Sequence, residues 1–309
     1  MTNFNDFFKR TVSYMAVLAA LLSPAPAYAG GENQGKKPDA EQTEPDNGSS
    51  LEEKAKEKKN QAMILLSNGR RIPAEYLDKA EKMPDISQLN KGLPSGGRPY
   101  CGPAAASNLL ACLDRTGFDR LIDGEADEAS QLDLVRLLAG SSYMKTGSNG
   151  TTPTDFMSGL EKYIASKGYK AKISFKGVEH LGRYNCGKKP DLAWLLEGVN
   201  GNSNIILNIG YYTYNQKKGR YERTSGHFAN LVGYRIEGRD KYIFVIHDPG
   251  TNAEHEYSRV APIQGGAMLA NWNGNRSGAG CLVLKDKIYA EGKSITVIDG
   301  AVRVDASHK

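Results

Sequence analysis

A cysteine at the start of a predicted helix is the first residue in this sequence that could do chemistry. Cys101 lies in the segment Arg-Pro-Tyr-Cys-Gly-Pro-Ala-Ala-Ala, residues 98–106. Pro103 suits the first turn of a helix, where its missing N–H costs nothing. The positive end of the helix dipole and the free N–H groups there favour a thiolate over a thiol. Cys101 is therefore a candidate nucleophile, and a small buried cysteine at a helix start is the alternative.

A histidine and an aspartate lie on two strands that the sequence predicts to pair. His227 begins one apolar alternation, residues 227–236, and Asp248 follows the apolar run of residues 242–247. The intervening Glu-Gly-Arg-Asp has the composition of a tight turn, which joins the strands into a hairpin. A turn centred on its first two residues places His227 opposite Asp248. Directly opposed residues share one face of a sheet, with Cβ atoms about 5 Å apart.

These three residue types are those that nucleophilic catalysis by a thiol requires. A base within hydrogen-bond reach activates the thiol, and a third group fixes the tautomer of the base. Cys101, His227 and Asp248 are accordingly the candidate nucleophile, base and orienting carboxylate. The alternative is that the histidine and the aspartate are polar residues at strand ends near water.

The same segments, in this order, resemble the bacteriocin-leader-processing branch (the peptidase C39-like branch) of the papain-like cysteine peptidases. The resemblance depends on Tyr-Cys-Gly-Pro-Ala-Ala, then Gly-His-Phe followed by Val-Gly-Tyr, then His-Asp-Pro. It covers roughly residues 82–285 and implies Cys101 as nucleophile, His227 as base and Asp248 as orienting carboxylate. The fold that it implies is papain-like, with a helical lobe bearing the nucleophile followed by an antiparallel sheet lobe.

The resemblance also implies a glutamine upstream of the cysteine that donates a hydrogen bond to the oxyanion. Gln88, which follows Met-Pro-Asp-Ile-Ser, matches that segment. Its separation from Cys101 is longer than is usual in papain-like enzymes, and a loop containing Pro94, Gly96 and Gly97 would absorb the excess. The alternative is an ordinary surface glutamine.

The chain is predicted to be helical first and stranded later, which indicates the α+β class. Apolar spacing predicts helices at Pro103–Leu113, Gln131–Ala139 and Pro153–Lys167. Alternation predicts strands at Lys170–Phe175, Asn204–Tyr214, His227–Ile236, Tyr242–His247 and Cys281–Leu284. We expect the papain-like domain to span residues 61–285. Residues 286–309, with two short apolar alternations, are expected to form an edge hairpin or an appended tail.

The N-terminus has the pattern of an export signal. Lys9 and Arg10 precede an uncharged apolar run, and Ala-Tyr-Ala at residues 27–29 supplies a small-x-small cleavage site. We therefore expect a signal peptide at residues 1–29 and a secreted or periplasmic protein. The run is too short to cross a hydrocarbon core of about 30 Å as a helix. Since no later segment is long or apolar enough, no stable membrane insertion is expected after cleavage.

A polar segment follows the predicted signal. Residues 30–60 are rich in Gly, Lys, Glu, Asp, Asn, Gln and Pro, and such a composition cannot bury enough apolar surface to offset its ordering entropy. A disordered tether is therefore expected. Ser50 and Glu53 resemble a capping box, which predicts a helix from Leu51 to about Leu66.

The four cysteines limit the possible disulfides. Cys101 and Cys112 share a predicted helix and lie about 16 Å apart at ~1.5 Å per residue, whereas a disulfide needs Cα atoms within about 7 Å. Cys112 is expected to be buried as a small apolar residue. With Cys101 free, Cys186 and Cys281 remain, and we predict a bond between them.

Composition excludes some classes of function. The net charge is +5, but basic and acidic residues are mixed along the chain, so no nucleic-acid partner is expected. The spacing of His180, His255 and His308 does not suggest a metal site. No cofactor is expected.

The residues and the resemblance together predict an exported cysteine peptidase acting on a peptide or protein substrate through an acyl-enzyme. One alternative keeps the triad but lets an amine capture the acyl group, as in transglutaminases, or takes a peptidoglycan amide as substrate. Another is an inactive papain-like binding module with Cys101 in a disulfide. The leader-processing relatives are usually cytoplasmic domains fused to transporters, so the resemblance indicates the chemistry better than the substrate.

Overall fold

The computed structural model describes residues 62–124, 127–238, 240–253, 255–271, 274–286 and 294–309. The predicted signal peptide, the predicted tether and most of the predicted helix from Leu51 lie outside these residues. The end of that helix is predicted wrongly, because Met63–Leu65 forms strand β1 and pairs with β2, Arg71–Pro73. Ser67 and Asn68 form the reverse turn between the two strands, closed by the bond from Gly69 N–H to Leu66 O, and Gly69 follows with φ 83°.

The described residues contain five α-helices. They are α1 (Asp78–Lys82), α2 (Cys101–Asp114), α3 (Glu128–Ala139), α4 (Pro153–Ser166) and α5 (Leu192–Asn200). The three predicted helices are confirmed as α2, α3 and α4, whereas α5 was not predicted. Among the described residues, none of these helices has the length and hydropathy needed to span a membrane.

Side-chain caps begin three of these helices. Asp127, Thr152 and Asp191 each accept a hydrogen bond from the backbone N–H three residues ahead, at the starts of α3, α4 and α5 respectively. The signal for α5 was therefore present in the sequence, as an aspartate ahead of the apolar segment Leu-Ala-Trp-Leu-Leu. A run of that length is also compatible with a buried strand, so periodicity alone does not identify it as a helix.

The remaining strands form one large sheet. They are β3 (Glu75–Tyr76), β4 (Lys170–Gly177), β5 (Asn185–Gly187), β6 (Asn204–Asn215), β7 (Arg220–Glu237), β8 (Lys241–His247), β9 (Glu256–Pro262), β10 (Met268–Asn271), β11 (Gly274–Ser277), β12 (Leu282–Leu284) and β13 (Ser294–Ser307). Most pairs are antiparallel, and β7–β10 and β4–β5 are parallel. A mixed helical and sheet chain agrees with the predicted class.

Six of these strands close on themselves. The pairing runs β6–β7–β8–β9–β12–β13 and returns to β6, with every pair antiparallel. Closure satisfies the backbone hydrogen bonds on both sides of each strand, so the ring has no free edge. We call this set of strands the six-stranded ring.

Strand β13 corrects the expectation of a C-terminal edge hairpin or tail. It pairs with β12 and β6 within the ring and with β4 along its second half. Most of its side chains are buried. The hairpin was predicted because Asp299-Gly300, which has the composition of a turn, separates two apolar alternations. In the structure, the strand continues through an irregularity between Ile298 and Gly300.

Two hydrophobic cores lie on opposite faces of β6 and β7. One contains residues of α2, α3 and α4 together with Ile206 and Phe228. The other contains residues of α5 and of the ring, including Leu207 and Ala229. Successive side chains of a strand point to opposite faces, so β7 can present one side chain to the helices and the next to the ring. This alternation governs which β7 residues reach the site.

The predicted Cys186–Cys281 disulfide is wrong. All four cysteines are free thiols, with Cys186 exposed on β5 and Cys281 buried ahead of β12. Cys281 packs in an apolar cluster that includes Tyr212 and Leu269. The burial of Cys112 is confirmed.

Candidate active site

Cys101 is the first residue of α2 and is almost fully buried. The first N–H groups of a helix have no acceptor within it, so the backbone at Cys101 offers donors to a bound oxygen. Gly102 allows a close approach to a neighbouring loop, since an added Cβ would lie 3.2 Å from the side chain of Thr151. The start of the helix is therefore packed tightly against the segment that precedes α4.

His227 on β7 and Asp248 after β8 form a short hydrogen bond. Nε2 of His227 lies 2.5 Å from Oδ1 of Asp248, which also accepts from the backbone N–H of Gly250 at 2.8 Å. An added Cβ at Gly250 would lie 3.2 Å from Cε1 of His227, so glycine permits this packing. Because Nε2 faces the carboxylate, Nδ1 is the ring nitrogen that remains for the thiol.

The strand register differs from the predicted one. The prediction pairs His247 with Phe228, whereas the structure pairs it with Asn230, two positions further along β7. The turn lies later than predicted, and the register shifts between Leu231 and Gly233. The histidine and the carboxylate still meet, because both are at the same end of the hairpin and their side chains span the remaining offset.

Cys101 and His227 border the same cleft and lie close enough for each to shift the pKa of the other. Burial raises the pKa of Cys101, but the hydrogen bond and charge of His227, with backbone N–H groups of Phe228 and Gly102, lower it overall. Burial lowers the pKa of His227, but its bonds to Asp248 and Cys101 raise it to about 10. The site therefore favours a thiolate beside an imidazolium.

Asp248 holds its charge despite being buried. Burial raises the pKa of its carboxyl group, but the hydrogen bond and charge of His227 and the N–H of Gly250 keep it below its usual range. A buried carboxylate in this place stabilises the imidazolium and orients its ring.

Asn230 is a positioning residue that sequence reasoning missed. It is fully buried on β7, and its Nδ2 donates to the carbonyl oxygen of Ala105 in α2 at 3.0 Å. The sequence did carry a signal for this residue. Asn230 is a polar residue in an otherwise apolar strand, and it is two positions from Phe228, so both side chains point to the face that packs on the helices. Asn108, also on α2, accepts from the backbone N–H of Ile86. Two buried amides thus hold α2, one to β7 and the other to the segment that contains Ile86.

Gln88 is buried, not exposed on the surface, and its amide contacts the loop ahead of Cys101. Nε2 donates to the carbonyl oxygens of Gly97 and Arg98, at 3.2 and 2.7 Å, and the backbone N–H donates to Pro249 at 2.7 Å. Gly97 has φ 78°, and an added Cβ there would overlap the Gln88 backbone. Gln88 therefore ties the loop before the cysteine to the residue after Asp248, with both amide hydrogens engaged.

Two depressions meet at this site. The larger, a cleft of about 780 Å³, is bordered by Cys101 and His227 and extends to Glu179 and Asp299. The smaller groove, about 470 Å³, is bordered by His227, Gly250 and Gln88. Because His227 and Arg98 border both, the two depressions join beside the imidazole. An extended chain crossing this junction would pass the thiol.

Two neighbouring histidines have side chains of the type that binds metal ions. His247 and His255 lie side by side, with Nε2 of the first 2.8 Å from Nδ1 of the second. Within the described part of the chain, no three His, Cys, Asp or Glu side chains are grouped as metal ligands.

One family model matches the part of the chain that contains the site. The model of the Peptidase C39-like family matches residues 81–279, close to two thirds of the chain. That span begins in α1, ends after β11, and includes Gln88, Cys101, His227 and Asp248. No curated protein is similar enough to match the chain. The extent of the family match shows that the chain belongs to the Peptidase C39-like family of the cysteine peptidase superfamily.

Proposed function

We propose that this chain is an exported cysteine peptidase that hydrolyses peptide or amide bonds through an acyl-enzyme. The observation that carries the proposal is the hydrogen bond from His227 to Asp248, with the Cys101 thiol on the same cleft and its pKa lowered by His227. A nucleophile, a base and an orienting group in hydrogen-bond contact are what such a mechanism needs.

Acylation begins with attack by Sγ of Cys101 on the carbonyl carbon of the substrate. Nδ1–H of His227 then gives its proton to the departing amine as the C–N bond breaks, leaving a thioester on Cys101. Throughout this step, Asp248 keeps Nε2–H oriented and the imidazole ring in place.

The negative charge on the substrate oxygen is stabilised by the backbone N–H of Cys101 in the first turn of α2. One such donor is worth about 3 kcal/mol to the transition state. The resemblance also assigns an oxyanion role to Gln88, but its Nε2 already donates to Gly97 and Arg98. We assign Gln88 to positioning that loop, and an oxyanion role would require it to break those bonds.

Deacylation repeats the proton transfers in reverse. Neutral Nδ1 of His227 takes a proton from water, the resulting hydroxide attacks the thioester carbon, and Sγ of Cys101 leaves as thiolate. The carboxylic acid product then departs, and the thiolate–imidazolium pair is restored.

Export is the second part of the proposal and rests on the sequence alone. Removal of residues 1–29 would release a secreted or periplasmic chain with residues 30–60 as a polar tether, acting on peptides or proteins there. The mass of the mature N-terminus in the exported fraction tests this part. An intact N-terminus retained in the cytoplasm would contradict it.

The chain lacking residues 1–29 provides the test of the chemistry. It should cleave members of a positional peptide library, and Cys101→Ala and His227→Ala should each abolish cleavage while unfolding cooperatively. Cys186→Ala, which removes an exposed thiol on β5, is the matched control and should cleave normally. Full activity in Cys101→Ala would exclude the mechanism.

Two further readouts separate the alternatives. Adding a primary amine to the reaction distinguishes hydrolysis from acyl transfer, since a transferase would give mainly the amide product. If Cys101 resists thiol-directed reagents and nothing is cleaved, the binding-module alternative is supported instead.

A further inference from the structure

The cleft beside Cys101 has an apolar wall and a charged end. Phe175, at the end of β4, and Val178 and Leu181, in the segment after it, border the cleft, and Glu179 lies between the last two in sequence. Asp299 of β13 also borders it. The stem of a long side chain that enters the cleft would contact the apolar wall, and its tip would lie near the carboxyl groups.

One of the two carboxylates is paired inside the protein. Oδ2 of Asp299 accepts from Nε of Arg223 at 2.9 Å and from the hydroxyl of Tyr212 at 3.0 Å. Asp299 is 4% exposed, and its Oδ1 is buried without a hydrogen-bond partner among the described residues. Burial raises the pKa of Asp299, and Arg223 offsets that effect only in part. One oxygen of the carboxyl group is left unused.

Glu179 has no such counter-charge. Its Oε1 accepts from Nδ2 of Asn271 at 2.8 Å, and the side chain is half-buried. Within the ranges that the structure describes, it takes part in no ion pair. Glu179 is therefore the carboxylate at this end of the cleft that no described cation pairs with.

Glycines make the space for this cluster. Gly210 on β6 and Gly226 on β7 are directly opposite each other on these two neighbouring strands. An added Cβ at Gly210 would lie 2.2 Å from Oδ2 of Asp299, and one at Gly226 would lie 2.4 Å from Nη2 of Arg223. The absence of side chains at these two glycines leaves room for the Arg223–Asp299 ion pair. Gly226 also directly precedes His227 in the chain. The charged end is thus built into the strands of the site.

The charged end opens on the larger cleft and not on the smaller groove. Arg98 and His227 border both depressions and so mark their junction, whereas Glu179 and Asp299 border only the larger cleft. Cys101 also borders only the larger cleft. The acyl part of the substrate stays bonded to Cys101 after the first step, so the larger cleft holds the acyl side.

We propose that the Glu179–Asp299 end of the cleft binds a basic side chain, lysine or arginine, on the acyl side of the scissile bond but not at the residue that carries the scissile carbonyl. This assignment rests on the proposed peptidase function. The aliphatic stem lies along Phe175, Val178 and Leu181, and the cationic tip reaches Glu179 beside Asp299. A charge-assisted contact in such a place favours the basic residue over an uncharged one of the same length.

The test uses peptides that extend only on the acyl side. In a positional library of peptidyl aminomethylcoumarins, wild-type enzyme should prefer Lys or Arg at one position beyond the first. At that position Lys should exceed norleucine in kcat/KM by at least about tenfold, since a charge-assisted hydrogen bond contributes more than 1.4 kcal/mol.

Glu179→Gln should remove most of that preference by slowing the lysine peptide, with the norleucine peptide little changed. Glu81→Gln, which removes a charge from the exposed face of α1, is the matched control and should keep the preference. Selection of acidic or uncharged residues at every position, or an equal loss for both peptides in Glu179→Gln, would overturn the assignment.

Failure of the subsite is distinguishable from failure of the chemistry. If the wild-type chain cleaves no peptide, the peptidase proposal fails, and fluorescence anisotropy of labelled peptides on Cys101→Ala decides the subsite separately. The subsite would be supported if lysine peptides bind Cys101→Ala more tightly than norleucine peptides do, and if this difference disappears when Glu179→Gln is added to the same chain. Equal binding would overturn it.

Discussion

Nδ2 of Asn230 lies 3.0 Å from the carbonyl oxygen of Ala105, a hydrogen bond that joins β7 to α2. Asn230 is three residues beyond His227, and Ala105 is four residues beyond Cys101. The bond therefore fixes the strand that carries the imidazole to the helix that carries the thiol. Because both partners are buried, no water can replace either of them at low cost.

Replacing Asn230 by alanine should loosen the spacing between thiol and imidazole. We expect Asn230→Ala to lower the free energy of unfolding by about 1–3 kcal/mol and to slow the alkylation of Cys101 near pH 6. Denaturant unfolding and iodoacetamide kinetics measure the two effects. Asn108→Ala, which frees Ile86 from the same helix, should lower stability without slowing alkylation. Unchanged alkylation in Asn230→Ala would assign it a purely structural role.

The substitution Asp248→Asn should leave partial activity. An amide preserves the shape of the carboxylate but neither stabilises the imidazolium nor sets the tautomer, so kcat should fall, by at most about 10⁴-fold, the loss seen in a Ser-His-Asp triad. The pKa of His227 should fall as well, moving the alkaline limb of the pH profile to lower pH. An alkaline limb that stays in place would show that Asp248 does not act through His227.

The pH dependence of kcat/KM should be bell-shaped and broad. The lowered pKa of Cys101 moves the acid limb below the ordinary thiol value of about 8.5. The raised pKa of His227 places the alkaline limb near pH 10, where loss of the imidazolium proton stops protonation of the leaving amine. The two limbs belong to the coupled pair and not to either residue alone. A single rise near pH 8.5 with no alkaline fall would indicate an unassisted thiol.

Asp85 should make the protein less stable as the pH rises. Both of its carboxylate oxygens are buried without a hydrogen-bond partner in the described ranges. Burial, followed by the charges of Asp248 and Glu256, raises its pKa from 3.8 to about 8. The folded state then keeps a proton that the unfolded chain loses, so stability falls between about pH 4 and pH 8, by at most about 1.4 kcal/mol per pH unit. Above pH 8 this contribution no longer changes.

The variant Asp85→Asn should flatten that dependence. Unfolding free energies at pH 5 and pH 8 should differ less in Asp85→Asn than in the wild type. Asp133→Asn, which removes an exposed carboxylate of α3, serves as the control and should keep the wild-type slope. Parallel slopes for Asp85→Asn and the wild type would mean that Asp85 is ionised in both states.

Local chemistry in the sequence accounts for the parts of the site that could be predicted. Pro103 and the helix dipole locate Cys101 at a helix start, and the hairpin composition brings His227 near Asp248 despite an error in the register. Such features depend on neighbours in the chain. A two-residue error is tolerated because the site needs only the ends of two strands to meet.

The parts that could not be predicted depend on distant segments. The burial of Gln88 requires Pro249, and the role of Asn230 requires α2. Asp299-Gly300 has the composition of a turn. In the structure it lies within a continuous strand, because Arg223 and Tyr212, which are remote in sequence, stabilise the aspartate there. No local sequence pattern predicts these contacts, since each joins residues more than fifty positions apart in the chain.

The position of β13 in the ring has a consequence for the time at which the thiol becomes reactive. Ribosomes make Cys101, His227 and Asp248 well before residues 294–307, yet β6 and β12 lack the strand between them until those residues appear. A nascent chain thus carries all three side chains without the closed scaffold that holds them. A chain stopped after Asp286 should therefore be alkylated at Cys101 at the rate of an ordinary cysteine.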